Sequence, residues 1–354
     1  MTSNFDITAE KQAGQLHFFK SQLTEEKCPK ITTDDVNLTG KMAIVTGGNI
    51  GIGLECAHQL LDLGLSKLIL AVRNEESGHA AAKTLSSNTK VDPKKQTIEV
   101  WNLNLSSYES ITKFAENVGG LDARPDIVVL NAGVFKVNRS FIASTGHDED
   151  VQINYLSNIL LLVLLLRIVK EKKPADTASS PPHIVFVSSV NAHWAKFEER
   201  TADPLWTAFD DKDGKWDMAD RYGASKLLVL LFLSELVKKV PPSVAILSAP
   251  TPGMCYGSRL ARDGDGTVVG FVYGIYMRLI GHSCQIGART VVDAAVKKGP
   301  ESHGEYIENG KLRPLPPLMY TAEGEQIVKK VWKNTMNELS FAGVEQIIDG
   351  LSSI

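Results

Sequence analysis

The chain has 354 residues, 43% hydrophobic and 22% charged, with a formal net charge of −3. This is globular composition, and it excludes the basic field that draws nucleic acid or an anionic membrane surface. The four cysteines (Cys28, Cys56, Cys255 and Cys284) are scattered without a CxxC pair, which points to free thiols in a reducing compartment and against a metal site.

The N-terminus carries acids early and no apolar h-region, so no signal peptide is expected. Residues 1–40 read as a polar arm with one amphipathic helix over 10–23, where Leu16, Phe18, Phe19 and Leu23 can lie against a domain. From Lys41 a rhythm begins. Short apolar runs at 42–45, 68–72, 97–101, 127–130, 184–187 and 244–247 read as strands. Segments with helical spacing lie between them, at 54–63, 75–85, 107–118, 148–170 and 222–240. Strand–helix alternation without hairpin signals predicts an α/β fold: a doubly wound parallel sheet with helices on both faces. Right-handed crossovers then bring every strand's carboxyl end to one edge.

The domain is expected to span 41–340, followed by a tail at 341–354. Two loops interrupt it. Residues 191–221 are polar and turn-rich, and 254–287 mix glycine with apolar residues. Long loops at the carboxyl edge are where substrates are selected. A Pro-rich stretch, 310–318, precedes a last helix at 322–339. Residues 159–166 are the most apolar run, but Arg167 cuts it, and 268–280 contain Arg278 and two glycines. No integral membrane segment is expected, and a cytoplasmic protein follows.

The first strand ends in Thr46-Gly47-Gly48-Asn49-Ile50-Gly51-Ile52-Gly53. A strand that turns on glycines into a helix aims backbone N–H groups at one point and seats a phosphate there. Gly47 lets the chain leave the strand, Gly51 lets the backbone approach a pyrophosphate, and Gly53 lets the helix pack close. The spacing is not GxGxxG; its place at the head of an alternating chain marks a dinucleotide site. After the second strand the first polar residue is Arg73, not an acid. An acid would hold a ribose 2′-OH, whereas an arginine suits a 2′-phosphate, which favours NADP(H) over NAD. Asn104-Leu105 after the third strand and Asn131-Ala132-Gly133 after the fourth can meet the adenine and its ribose; taken alone, each equally fits a strand-to-helix turn with Asn as cap.

Tyr222-Gly-Ala-Ser-Lys226 opens the long helix after the fifth strand. Positions i and i+4 share a helix face, so Tyr222 and Lys226 point into one space. A phenol titrating near ~10 is a poor acid–base catalyst at neutral pH. A nearby ammonium and an oxidised nicotinamide both favour the phenolate. Tyr222 can then give a proton to a carbonyl oxygen as hydride reaches the carbon, or run the reverse. Ser188-Ser189, directly after the fifth strand, can hydrogen-bond that oxygen. Asn154, a lone amide in an apolar helix, needs partners: it can hold a water that relays protons to Lys226, or bond a neighbouring carbonyl. No histidine or cysteine shows ligand spacing.

These stretches resemble the classical short-chain dehydrogenases/reductases: TGGNIGIG (46–53), NAG (131–133), Asn154, SS (188–189), YGASK (222–226) and PG (252–253), in that order over about 40–300. Within them the chain is most similar to the retinol-dehydrogenase-like group and its fungal secondary-metabolism members, through KLILAVRN (67–74), the long interval from Ser189 to Tyr222, and the tail GEYIENGK…AEGEQIVKKVWKNT. The resemblance implies a Rossmann sheet of about seven strands and a catalytic set of Asn154, Ser189, Tyr222 and Lys226. It puts cofactor contacts on Gly47, Asn49, Ile50, Gly51, Ile52 and Gly53, on Arg73, Asn104, Leu105, Asn131, Ala132 and Gly133, on Tyr222 and Lys226, and on Pro252-Gly253 beside the nicotinamide. Asn104 stands where the family has Asp. Gly257 stands where it has a hydroxyl, with Ser258 next as a candidate replacement. Retinoid-handling members often carry an N-terminal membrane helix that this chain lacks, so a retinoid substrate is not carried over.

The expectation is an NADP(H)-dependent oxidoreductase interconverting a carbonyl and an alcohol on a small or medium apolar substrate, with a polyketide or terpenoid intermediate as the candidate class. The chain is expected as a monomer or a homodimer pairing through 148–170 and 222–240. Two other readings stand beside it: a non-catalytic NADP(H)-binding sensor or scaffold, and a sugar-nucleotide epimerase.

Overall fold

The structure, a computed structural model, describes residues 5–87, 92, 94–173, 180–264 and 266–352. Two short helices, α1 (Ala9–Gln12) and α2 (Gln15–Leu23), precede β1 (Met42–Thr46). The alternation then runs α3 (Gly51–Asp62), β2 (Lys67–Val72), α4 (Glu75–Ser86), β3 (Thr97–Asn102), α5 (Tyr108–Gly119) and β4 (Ile127–Leu130). Next come α6 (Glu149–Val151), a π-helical turn (Gln152–Leu156), α7 (Ser157–Glu171) and β5 (His183–Phe186). The 191–221 loop carries α8 (Asn191–Trp194) and α9 (Leu205–Phe209), and α10 (Met218–Leu236) and β6 (Ile246–Thr251) follow. A two-residue pairing of β7 (Cys255–Tyr256) with β8 (His282–Ser283) flanks α11 (Val268–Ile280). The chain ends with α12 (Cys284–Val296), β9 (Tyr306–Glu308), β10 (Lys311–Arg313), α13 (Ala322–Glu338) and α14 (Val344–Ser352).

Strands and helices start where local chemistry lets them. Asn74, Ser107, Asp217 and Thr321 each accept a backbone N–H with the side chain and open α4, α5, α10 and α13. The buried apolar runs of β1 and β4 need cover on both faces, which a parallel sheet with crossover helices supplies. The strands divide their side chains by alternation. Ile44, Ile69 and Val128 face the helices α5, α7 and α10, while Ala43, Val45, Leu68 and Val129 face α3 and α12.

The sheet order is β10-β9-β6-β5-β4-β1-β2-β3, and every pairing is parallel except β9–β10. Successive strands travel outward from β1 in one direction through β3 and in the other from β4. The crevice where the order reverses, between β1 and β4, is where such sheets bind ligands.

Four sequence expectations are corrected. Among the described residues the sheet has eight strands instead of about seven, because it ends in a hairpin. Asn309 and Gly310 both take positive φ, 49° and 76°, the backbone of a tight turn that joins β9 to β10. The sixth strand lies later than 244–247, at Ile246–Thr251, since Ser248 and Pro250 hid its continuation. The described part of the expected tail, up to Ser352, packs on the domain: α14 buries Val344, Ile348 and Leu351 against α7. In the described part of the arm, 5–40, of its four apolar candidates only Phe18 is buried, and Leu16 is 84% exposed. The run Glu149–Glu171 is long and apolar enough to cross a membrane, yet 94% of its most apolar window is buried inside the protein, against α5 and α14.

Candidate active site

The glycine turn folds as its residues require. Gly51 sits at φ +59°, and a Cβ there would meet the Ser258 backbone at 2.9 Å. Gly53 has no room for a side chain, since a Cβ would lie 2.4 Å from Gly47 O. The α3 helix that follows starts from Ile50 with no side-chain cap, unlike α4, α5, α10 and α13. Its first-turn N–H groups therefore face the crevice as anion donors. Asn131 braces this turn from β4: its Nδ2 donates to Thr46 O at 2.9 Å, and Thr46 Oγ1 accepts from the N–H groups of Asn131 and Ala132. The Asn131 side chain thus holds the turn in shape.

A cleft of about 840 Å³ runs along the carboxyl edge of the sheet from this turn. One end is lined by Gly47, Asn49, Ile50, Ile52 and Arg73, then Asn104, Leu105, Asn131, Ala132 and Gly133. The other holds Ser189, Tyr222, Lys226, Pro252 and Gly253. Arg73 is exposed at the mouth, and no ion pair joins it to Glu75 or Glu76 among the described residues. Asn49 donates to Ser77 Oγ at 3.0 Å, and Asn104 Oδ1 accepts from Ser106 N at 3.1 Å. Two groups without hydrogen-bonding protein partners fit a bound dinucleotide: the uncapped first turn of α3, and Ser188 Oγ, buried with no partner on the cleft wall. The residues present therefore fit a nicotinamide dinucleotide.

Helix α10 puts Tyr222 and Lys226 on the face that closes the cleft. Lys226 Nζ lies 5.8 Å from the Tyr222 ring centroid and donates to Val187 O at 2.9 Å. Burial pushes the Lys226 ammonium down to about 8, against the opposing pull of Asp150. Tyr222 is nearly buried, with the Phe135 ring edge-on at 4.9 Å. Ser189 Oγ accepts from Asn191 N at 3.2 Å, so its hydroxyl is fixed at the strand end. Asn154 sits in the π-helical turn. Its Nδ2 donates to Val134 O at 2.8 Å and Ser225 Oγ at 2.9 Å, while its Oδ1 accepts from Val134 N at 2.8 Å. Both amide hydrogens are engaged, and the side chain locks the segment after β4 to α10. Of the two sequence readings for Asn154, bonding to a neighbouring carbonyl is the one the side-chain geometry contains.

Both loops supply residues to the cleft lining, Asn191, Trp194 and Ala219 from one and Met254, Ser258 and Met277 from the other. The segment after β6 straps across it: Phe135 N donates to Leu260 O at 3.4 Å, and Val137 N to Asp263 Oδ2 at 3.0 Å. The 191–221 insertion is pinned beside Tyr222 by Arg221, which pairs with Asp148 at 3.5 Å and Glu199 at 3.2 Å and covers the Phe209 ring. His147 links Asp210, at 2.7 Å, to Glu338, at 3.0 Å. Burial alone would depress this imidazole, but the two carboxylates outweigh it and raise it to about 9. Sequence reasoning did not single out Phe135, Trp194, Met254 and Met277, which also line the cleft. The signal for Phe135 was its place two residues past Asn131-Ala132-Gly133; Trp194 was one of three tryptophans in the first loop.

A family model described as short chain dehydrogenase matches residues 41–199. The chain is 48% identical to the short-chain dehydrogenase fogG of Aspergillus ruber over 99% of its length and the whole of that relative. It is 43% identical to the short chain dehydrogenase/reductase mfmJ of Annulohypoxylon moriforme over 94% of each chain. Among solved structures, salutaridine reductase from Papaver somniferum superposes with a TM-score of 0.55 at 19% identity, covering 75% of this chain and 99% of that one. The Pseudomonas aeruginosa RhlG/NADP complex gives 0.52 at 22% identity over 77% and 95%. At these identities the structures speak for the fold, a Rossmann sheet with helices around it.

Proposed function

The chain belongs to the short-chain dehydrogenase family and is an oxidoreductase, and we propose that it uses NADP(H) to interconvert a carbonyl and an alcohol on a small or medium apolar substrate. The observation that carries this reading is the continuity of one cleft from the α3 N-terminus and Arg73 to Tyr222, Lys226 and Ser189. Cleft size agrees with a dinucleotide and a small second molecule side by side.

Bound there, the nicotinamide would supply or accept the hydride. The chain's own residues do the rest. The α3 N–H groups and Gly47 to Gly53 would hold the pyrophosphate, Arg73 the 2′-phosphate, Asn104 and Leu105 the adenine region, Asn131 to Gly133 its ribose, and Pro252-Gly253 the nicotinamide side. Ser189 donates a hydrogen bond to the substrate oxygen. Tyr222 gives that oxygen a proton in reduction and takes one in oxidation. Lys226, desolvated but cationic at neutral pH, favours the phenolate through a short electrostatic path. Asn154 keeps the strand-four segment and α10 in register so that these groups converge.

The free cysteines support a reducing, cytoplasmic setting. A monomer is the better-supported oligomeric state, because α14 and α13 of the same chain pack on α7 and α10, the helices through which pairing was expected. A panel of carbonyls and alcohols followed by NADPH absorbance tests the assignment. Turnover that survives largely intact in Tyr222→Phe would sink the catalytic roles, and preference for NADH would remove the role of Arg73.

A further inference from the structure

The N-terminal helices bond to residues that line the cleft at two places. At one stands Gln22, buried at the end of α2. Its amide pairs with the Met254 backbone in both directions: Met254 N donates to Oε1 at 3.0 Å and Nε2 donates to Met254 O at 3.0 Å. Nε2 also reaches Ile280 O at 3.3 Å. A side-chain amide here imitates a neighbouring strand. Met254 follows Pro252-Gly253, and Ile280 ends α11, whose Tyr276 and Met277 line the cleft. A Cβ on Gly253 would meet Gln22 Oε1 at 2.9 Å, so the fit is close.

At the other stands Trp194, a cleft residue. Its indole N–H donates to Ala13 O at 2.9 Å, and the Phe18 ring meets it edge-on at 5.0 Å. The β9–β10 hairpin anchors the helix pair from behind. The Glu308 carboxylate accepts from Gln12 and Ser21, Asn309 donates to Ser21 Oγ at 3.1 Å and to Glu25 at 3.0 Å, and Arg313 pairs with Glu25 at 2.8 Å. These are buried or half-buried bonds spanning most of the chain, which makes the helix pair a brace rather than a loose arm.

We propose that the N-terminal helix pair braces the wall of the substrate end of the cleft from behind, and that Gln22 is a positioning residue that sets Met254 and the end of α11 and so the size of substrate admitted. Phe271, Ile275 and Leu279 of α11 are exposed, and besides Gln22 the described ties at its end are the contacts with β7 and the bond from His282 N to Met254 O at 3.0 Å. Cutting the Gln22 ties therefore lets that wall retreat while the glycine turn, fixed by β1 and β4, stays put. The substrate consequence rests on the carbonyl–alcohol reading; the positional one does not.

Full-length Gln22→Leu and Gln22→Glu variants test it. Glutamate keeps the acceptor for Met254 N and loses both donors. The kinetic readout is the ratio of kcat/KM for a bulky over a small ketone, which does not depend on the folded fraction. In Gln22→Leu it should move about tenfold toward the bulky ketone, the effect of losing hydrogen bonds of ordinary buried strength, and less in Gln22→Glu. The dissociation constant for NADPH should stay within about twofold, as the pyrophosphate seat does not move. Independently of activity, hydrogen exchange at the Met254 amide and over residues 277–281 should quicken by about tenfold or more in Gln22→Leu. An equal loss for both ketones, the mark of a purely structural arm, overturns the proposal, as does unchanged exchange. A wild-type enzyme that reduces no carbonyl refutes the carbonyl–alcohol reading alone; exchange then decides the positional claim.

Discussion

The two ends of the cleft are built by different means. The cofactor end is built around backbone turns, tight enough that Gly53 has no space for a methyl group, with the side chains of Arg73, Asn104 and Asn131 added to them. The substrate end is made of side chains that meet from far apart in the chain, Gln22 on Met254, Trp194 on Ala13, Arg221 on Asp148. A backbone cradle admits almost no variation and keeps one ligand. A wall assembled from long-range side-chain bonds can be re-cut by single substitutions without disturbing the cradle. The fold thus separates a constant reaction from an adjustable choice of substrate.

The sharpest way to break this separation is at the shared centre. Tyr222→Phe should lower kcat by roughly a thousandfold, the span of a lost general acid, while NADPH binding measured by fluorescence stays nearly unchanged. Next comes Gly53→Ala, whose methyl group would have to displace the Gly47 carbonyl. It should cost about 3 kcal/mol or more, read as a fall in Tm together with lost NADPH binding. If Gly53→Ala bound NADPH as wild type does, the rigid-cradle half of the comparison would fail. Arg73→Ala should weaken NADPH by about 10- to 100-fold and leave NADH nearly untouched, the loss of charge-assisted bonds to one phosphate.

A smaller effect belongs to the substrate end. His147 ties the 191–221 insertion to α13, and its imidazole titrates at about 9 when folded, above its ordinary value. The folded state binds this proton more tightly than the unfolded one. Its stabilisation is therefore complete below about 6.5 and drains away as pH rises through about 9, an amount on the order of 1–3 kcal/mol. Thermal melts across that range should show Tm falling in wild type and a flatter curve in His147→Gln. Parallel curves would remove His147 as the link.

This division also explains what could be read from the sequence. The convergence of the glycine turn and Arg73 on one cleft was legible, because the turn needs glycines in fixed order between a strand and a helix and Arg73 sits where the second strand must end. The Tyr222–Lys226 pair was legible because helical spacing alone puts both on one face. Gln22 was not, since nothing local distinguishes it, and the local cues at Phe135 and Trp194 were weak: each matters through a partner that only the fold brings near. The β9–β10 hairpin is a different kind of miss. Its Asn309-Gly310 turn is a local signal, hidden by strands of three residues each and by the dominance of the parallel alternation before it.

That hairpin has a bearing on how the protein behaves in a crowded solution. An open sheet presents unpaired N–H and C=O groups along its outermost strands, ready to recruit a strand from another molecule. Here one border is β10, only three residues long, with an exposed Lys311 and with Arg313 tied into ion pairs. The opposite border, β3, carries Glu99 in a pair with Lys67 at 2.8 Å. Short length on one side and charge on both discourage edge-to-edge joining, so the sheet can stay open without becoming a template for aggregation.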